Sequence, residues 1–192
     1  MYIPVVYLGG QYNHLIKRRL EELNVRSKLL RPTMTSQELI EEGIDGLVLG
    51  GGPYTLPNDY DKLSNVVDYI LNLNVPIMGI CLSHQLIALT FGGKAGRAAK
   101  PEYGNVEVEI IEYDPIFEGV PKRFIAWASH NDEVLEEPKN FKVLASSENC
   151  RVEAMKHRER TVYGLQFHPE VEHTQYGVRI FKNFIEIVKS HS

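Results

Sequence analysis

Pro76-Ile77-Met78-Gly79-Ile80-Cys81-Leu82-Ser83-His84-Gln85-Leu86-Ile87-Ala88 joins an apolar run too short for a helix to an amphipathic pattern that continues into Leu89. The run predicts a buried strand, the residues after it a helix, and Cys81 the sharp turn between them. Small residues stand two positions to either side of the cysteine, Gly79 and Ser83. They relieve crowding in the way a nucleophile elbow requires, where a tight strand-to-helix turn presents a reactive side chain. A thiol placed there meets the unpaired N–H groups and macrodipole of a helix N-terminus, which favour a thiolate. The N–H of Leu82 points to where an oxyanion would form. A lone cysteine is more often a buried structural residue, so the turn by itself leaves both readings open.

A cysteine nucleophile needs a base, and the base needs a group to orient it. Downstream, Tyr163-Gly164-Leu165-Gln166-Phe167-His168-Pro169-Glu170 reads as a strand ending at His168, with a carboxylate two residues later. In extended chain those two positions share a side, and Pro169 stiffens the step between them. Cys81, His168 and Glu170 then follow the logic of a serine triad, against the plainer reading of a surface His-Pro-Glu turn. His130, followed by Asp132 at the same spacing, is the weaker candidate base. Upstream, Asp45-Gly46-Leu47-Val48-Leu49 runs into Gly50-Gly51-Gly52-Pro53. Three glycines let backbone amides approach a ligand, so the loop reads either as a flexible turn or as the second wall of an oxyanion pocket.

Around this stretch the chain alternates strand and helix. Ile3–Leu8 and Val25–Leu30 predict strands, and Gln11–Leu23 an amphipathic helix with Leu15, Ile16, Leu20 and Leu23 on one face. Thr35-Ser36-Gln37-Glu38 offers a capping box for a short helix, and Tyr60–Leu73 a longer one. The alternation predicts a doubly wound, mostly parallel central sheet with helices on both faces, whose ligands bind beyond the carboxyl ends of the strands. After Gly92-Gly93 the pattern changes to half-exposed alternation, as in Val106-Glu107-Val108-Glu109-Ile110. With Phe124–Trp127, Val143–Ala145, Arg151–Met155 and Val162–Phe167 it predicts an antiparallel extension of the same sheet. Ser129-His130-Asn131-Asp132 reads as a polar turn. Tyr176–Val188 closes the chain as a helix, and residues 1–192 read as a single domain.

Composition narrows the function classes. A formal charge of −4 and no long basic run argue against a nucleic-acid surface. No apolar stretch approaches the roughly 20 residues of a bilayer span and no leader pattern opens the chain, so a soluble, cytoplasmic protein is expected. Two cysteines are too few for a disulfide framework, and Cys150, with no elbow or base pattern around it, reads as structural. His168, Glu170, Glu172 and His173 offer metal-ligand types, but they alternate in direction and Pro169 disrupts helical pairing, so no metal is expected. No phosphate-binding loop is present, so no nucleotide cofactor is expected in this chain.

These segments together resemble the triad class of glutamine amidotransferase domains, also termed class I. The resemblance runs nearly end to end: Gly-Gly-Gln-Tyr-Asn-His at 9–14, Gly-Gly-Gly-Pro at 50–53, Gly-Ile-Cys-Leu-Ser-His-Gln at 79–85, Glu-Tyr-Gly at 102–104, Cys-Arg-Val-Glu-Ala-Met at 150–155 and Gln-Phe-His-Pro-Glu at 166–170. Ser-His-Asn-Asp-Glu-Val at 129–134 and Val-Glu-His-Thr at 171–174 resemble the branch of glutaminase subunits in archaeal-type two-subunit GMP synthetases. The resemblance implies a Cys81-His168-Glu170 triad hydrolysing glutamine, an oxyanion hole at Gly52 and Leu82, and substrate contacts from Gln85, Ser129 and His130. It also implies a separate ATP-pyrophosphatase subunit that binds XMP, ATP and Mg. A glutaminase feeding another synthase, or a non-catalytic flavodoxin-like binding module, are the alternatives. Two departures stand out: Ser83 occupies a position where the family usually has glycine, and Tyr7-Leu8 replaces an acidic end of the first strand.

Overall fold

In the computed structural model, which describes residues 1–191, the apolar runs of the first half become β1 (Val5–Val6), β2 (Leu29–Leu30), β3 (Leu47–Leu49) and β4 (Ile77–Ile80). Each pairs parallel with its neighbours. Between and after them lie α1 (Asn13–Glu22), α2 (Ser36–Glu41), α3 (Ser64–Asn72) and α4 (Leu82–Thr90). The second half supplies β5 (Lys94–Ile110), β6 (Arg123–Glu136), β7 (Phe141–Ser147), β8 (Ala154–His157), β9 (Val162–Leu165) and the closing helix α5 (Gly177–Ser190). Among the described residues all nine strands form one sheet, in the order β2-β1-β3-β4-β9-β8-β7-β5-β6. β9 joins the parallel half beside β4, and everything beyond it is antiparallel.

The predicted strands at the amino end are shorter than their apolar runs. Pro4 has no N–H to give, yet the chain stays extended through it. The N–H groups of Ile3, Val5 and Tyr7 donate to Arg26, Lys28 and Leu30, and the Pro4 carbonyl accepts from Val48. Along the second run Val25 and Ser27 are buried while Arg26 and Lys28 are exposed, the alternation of an edge strand. The capping box forms as read: Glu38 N–H donates to Thr35 Oγ1 at 3.2 Å and Thr35 N–H to Glu38 Oε2 at 2.6 Å. The expected Tyr60–Leu73 helix divides into a 3₁₀ turn, Tyr60–Leu63, and α3.

Helices cover both faces. Ile16 and Leu20 of α1 with Ile180, Phe181 and Phe184 of α5 pack on Val5, Val48 and Met78. Leu39, Val66, Ile70, Leu86 and Ile87 from α2, α3 and α4 pack on Val6, Leu47, Leu49 and Ile77. Alternate residues of each central strand thus serve opposite layers, which is why these runs are apolar without interruption.

Ser129-His130-Asn131-Asp132 is not a turn: it lies within β6, paired with β5 so that His130 faces Glu102 and Ser129 faces Tyr103. The long β5–β6 ribbon supplies cross-strand partners that override the low strand propensity of these polar residues.

Candidate active site

β4 ends at Ile80 and α4 begins at Leu82, so Cys81 alone makes the turn, at φ +55° and ψ −106°. A non-glycine residue in the left-handed region carries strain of about 1–3 kcal/mol, and such strain clusters at functional sites. The surroundings are cut to fit it. A Cβ on Gly79 would press on the Ile87 side chain and the Ser83 backbone. Ser83, the small residue on the helix side of the elbow, is fully buried, and its hydroxyl donates to the Gly50 carbonyl at 2.6 Å. The serine therefore ties the elbow helix to the glycine loop.

That loop leaves the carboxyl end of β3, the strand next to β4. Side chains on Gly50 or Gly52 would collide with the Asn13 carboxamide and the Leu8 carbonyl respectively. Close backbone packing, not a special φ, is what requires glycine at these two positions. Gly51 faces the site: a Cβ there would stand 3.6 Å from Cys81 Cβ and 3.9 Å from His168 Cε1. Asn13, buried at the start of α1, donates its amide to the carbonyls of Gly10 and Gly51 at 3.0 Å each and pins two loops together. Sequence reasoning gave Asn13 no role, although it sat inside the Gly-Gly-Gln-Tyr-Asn-His segment.

His168 and Glu170 follow β9 on the other side of β4. The strand ends at Leu165, three residues short of the expected His168. The two side chains meet through a tight turn, not an extended chain, with Val171 N–H reaching the His168 carbonyl at 3.4 Å. Pro169 lies in that turn, and Nδ1 of His168 stands 2.6 Å from Glu170 Oε1, both residues buried. The backbone is anchored to β6: His168 N–H donates to the Trp127 carbonyl, and Thr174 Oγ1 donates to the His168 carbonyl at 2.6 Å while accepting from Trp127 N–H. Tyr12 packs edge-on to the imidazole, with ring centres 5.1 Å apart. Burial would push His168 toward its neutral form, but the Glu170 carboxylate and the Cys81 sulfur outweigh it and hold its pKa well above the usual histidine range.

Cys81 lies between two cavities of about 210 and 260 Å³. Gly52, Pro53 and Ser129 line both. Leu82, Gln85 and His130 line the first, His168 and Glu170 the second. Of the two candidate bases, only His168 stands beside the sulfur with a carboxylate behind it. His130 points Nδ1 at the backbone carbonyl of Asp132, 2.9 Å away, and Nε2 at Glu102, 3.0 Å away. Glu172 and His173 are exposed, apart from buried His168 and Glu170, so the four do not form one ligand set.

Sequence reasoning also passed over a buried acid cluster behind β6. Ligand atoms of Glu102, His130, Cys150 and Glu153 all lie within 4.8 Å of one another. Burial, and then the neighbouring Glu102 carboxylate, push Glu153 well above the carboxylate range, so it holds a proton. Glu102 is held below that range: hydrogen bonds with His130 and Ser147 outweigh its burial. Cys150 is free and fully buried, and its thiol is pushed up by burial and by the acids around it.

This geometry has counterparts among known proteins. Residues 5–188 match the family model described as glutamine amidotransferase class-I. Sulfolobus acidocaldarius and Archaeoglobus fulgidus each have a glutamine-hydrolyzing GMP synthase subunit that is 48% identical over 189 residues, covering 98% of this chain and all of the relative. A crystal structure from Thermoplasma acidophilum, of a protein assigned as a GMP synthase subunit, superposes with a TM-score of 0.93 at 45% identity over 99% of this chain and 94% of that one. A Thermotoga maritima glutamine amidotransferase shares the fold at 22% identity, with a TM-score of 0.75 over 98% of this chain and 82% of that one. With a cysteine elbow and a His-Pro-Glu turn brought to one rim of the sheet, and a family model matched across nearly the whole length, the chain belongs to the class-I glutamine amidotransferases.

Proposed function

We propose that this chain is the glutamine-hydrolysing subunit of a two-subunit GMP synthase, cleaving the side-chain amide of glutamine at Cys81. The observation that carries the reading is the buried His168 imidazole, paired at 2.6 Å with Glu170 and standing beside a strained elbow cysteine. Glu170 fixes the tautomer and orientation of the ring. The thiolate attacks the amide carbon, and the negative charge passes to the amide oxygen. Backbone N–H groups of Leu82 and Gly52 receive that oxyanion; losing one such donor costs on the order of 10²–10³ in rate. His168 protonates the departing nitrogen, ammonia leaves, and a thioester remains. His168 then takes a proton from water, the hydroxide displaces the sulfur, and glutamate leaves with the thiolate restored. Gln85, Ser129 and His130 line the cleft that holds the glutamine.

The relatives named as glutamine-hydrolyzing subunits of GMP synthase support the second half of the proposal. Ammonia passes to a separate ATP-pyrophosphatase subunit, which binds ATP and Mg and converts XMP to GMP in the cytoplasm. No helix among the described residues is long and apolar enough to cross a membrane. A glutaminase assay with and without an XMP-binding ATP-pyrophosphatase subunit tests the whole reading. Cys81→Ala is expected to fold and to lose glutamine hydrolysis altogether. Persistent hydrolysis in that variant would remove Cys81 as the nucleophile, and failure to associate with that subunit would redirect the ammonia to another synthase.

A further inference from the structure

The Cys81 sulfur has two polar neighbours to which the reaction above assigns no work on the sulfur itself. The Ser129 carbonyl stands 3.9 Å from it and the side-chain amide nitrogen of Gln166 stands 3.7 Å from it. We propose that Gln166 is a further residue of the catalytic machinery, donating an amide N–H to the Cys81 thiolate and fixing its place between the two cavities. The proposal rests on Cys81 being the nucleophile and deepens that reading.

The orientation of the amide decides the matter. Carboxamide oxygen and nitrogen are nearly alike in outline, so their assignment has to come from their partners. Here it begins at a group with only one polarity, the backbone carbonyl of Asp132, which can accept but never donate. Gln85 lies 2.9 Å from that oxygen and must present its NH₂ group. The same nitrogen lies 3.2 Å from the side chain of Gln166, which must answer with its oxygen. The Gln166 nitrogen is thereby turned toward the sulfur.

The carbonyl that sets the polarity is itself held. His130 Nδ1 donates to it at 2.9 Å, His130 Nε2 faces Glu102 at 3.0 Å, and Ser147 donates to Glu102 at 2.5 Å. A continuous series of hydrogen bonds runs from a buried carboxylate to the nucleophile, and from the Asp132 carbonyl onward each has one allowed direction. Gln166 has no freedom to leave it: the residue is fully buried, and its backbone N–H is fixed to the Glu153 carbonyl at 2.8 Å. The acid cluster behind β6 thus acquires a purpose, as the anchor of an amide aimed at sulfur.

Negative charge rests on the sulfur twice in each turnover, before attack and again when the thioester breaks. A hydrogen bond to an ionised acceptor is roughly twice as strong as a neutral one. A carboxamide can supply it at both stages without competing with His168 for the proton, because it has none to exchange at working pH. Other titratable groups near the sulfur are His168 and Glu170 after β9, Tyr12 before α1, and Tyr54, Tyr103, His130 and Asp132 along the cleft. None of them changes in the variants below.

The test is the pH dependence of Cys81 alkylation by iodoacetamide in the full chain, read by mass spectrometry, for the parent protein, Gln166→Met and Gln166→Glu. Methionine keeps the volume and removes the N–H; glutamate puts an acceptor where the donor was. The half-plateau pH is expected to rise by about one unit in Gln166→Met and further in Gln166→Glu. Glutamine turnover is expected to fall with KM little changed. A residue that only fills space would lower the melting temperature and leave the alkylation midpoint where it was, and that result overturns the proposal. Alkylation does not use glutamine, so the midpoint decides the role of Gln166 whether or not glutamine proves to be the substrate. If neither variant folds, the side-chain amide resonance of Gln166 in the parent protein takes over the test. It is expected to move with the alkylation midpoint, and a signal flat across the titration overturns the assignment.

Discussion

The imidazole of His168 stands where two effects oppose each other. Burial disfavours its charge, yet the carboxylate of Glu170 at 2.6 Å and the sulfur of Cys81 together prevail and keep it protonated above its ordinary range. A histidine raised on folding stabilises the fold fully below its unfolded value near 6.5, and that contribution is lost as pH rises through the folded value. Glu170→Gln removes the largest raising influence, so the melting temperature of the variant should fall below that of the parent at pH 5–6, with the gap narrowing in alkali. Thermal melts across pH check the sign, and a gap that widened with pH would contradict it. Turnover should fall by about 10²–10⁴-fold, because the amide misorients the ring as it does in a serine triad. Both members of this pair were legible from residue type and spacing, but the reason was not. They meet across a turn, where an extended strand had been expected. Asn13 and Gln166 were not legible at all, since a carboxamide in a sequence carries no sign of which carbonyl or sulfur it will face.

Among the elements, the glycine loop after β3 separates two jobs that look the same in the letters Gly-Gly-Gly. Gly52 packs against the Leu8 carbonyl, whereas Gly51 looks into the open space between Cys81 and His168. Gly52→Ala should therefore cost about 1–3 kcal/mol of stability through overpacking. Gly51→Ala should melt close to the parent yet lose about 10²-fold in turnover, because the added methyl displaces the reacting amide. Paired melting and glutaminase measurements distinguish them; equal effects on stability would refute the division. Ser83→Gly should keep activity and lose about 1 kcal/mol, the hydroxyl bond to Gly50, which corresponds to about 2–4 °C in Tm for a chain of this size. The parallel half of the sheet was readable because its strands are buried on both faces and run apolar without a break. The β5–β6 ribbon was not: Lys94–Gly104 and Ser129–Asp132 are polar segments made into strands by each other, a pairing that no local pattern announces.

Across the whole molecule, the sheet order places β3, β4 and β9 side by side. Residues from the first, middle and last thirds of the chain therefore share one rim at their carboxyl ends, as ligand sites in open α/β sheets do. The predicted doubly wound core with an antiparallel extension is the observed architecture, and it dictates how the site is finished. The cavity that Leu82 and Gln85 line reaches the surface past Tyr54, Thr55 and Tyr103. Tyr103 stands 60% exposed on β5, directly across from Ser129 of β6. A large aromatic ring left in water at the mouth of a reactive cleft suits a surface that another subunit covers. Covering it would also exclude water from the thioester until ammonia has gone, and free ammonia release would waste glutamine. The isolated chain should accordingly hydrolyse glutamine slowly, and an ATP-pyrophosphatase subunit loaded with XMP and ATP should accelerate it by tenfold or more, about 1.4 kcal/mol in the barrier. Tyr103→Ala should leave the slow basal rate within about twofold and blunt the acceleration, because a truncated interface aromatic loses binding energy on the order of 1–2 kcal/mol. Steady-state ammonia release with and without the loaded subunit measures both quantities. Full turnover by the chain alone, unchanged when the loaded subunit is added, would mean that the cleft is already complete and that its open mouth serves only for the entry of glutamine.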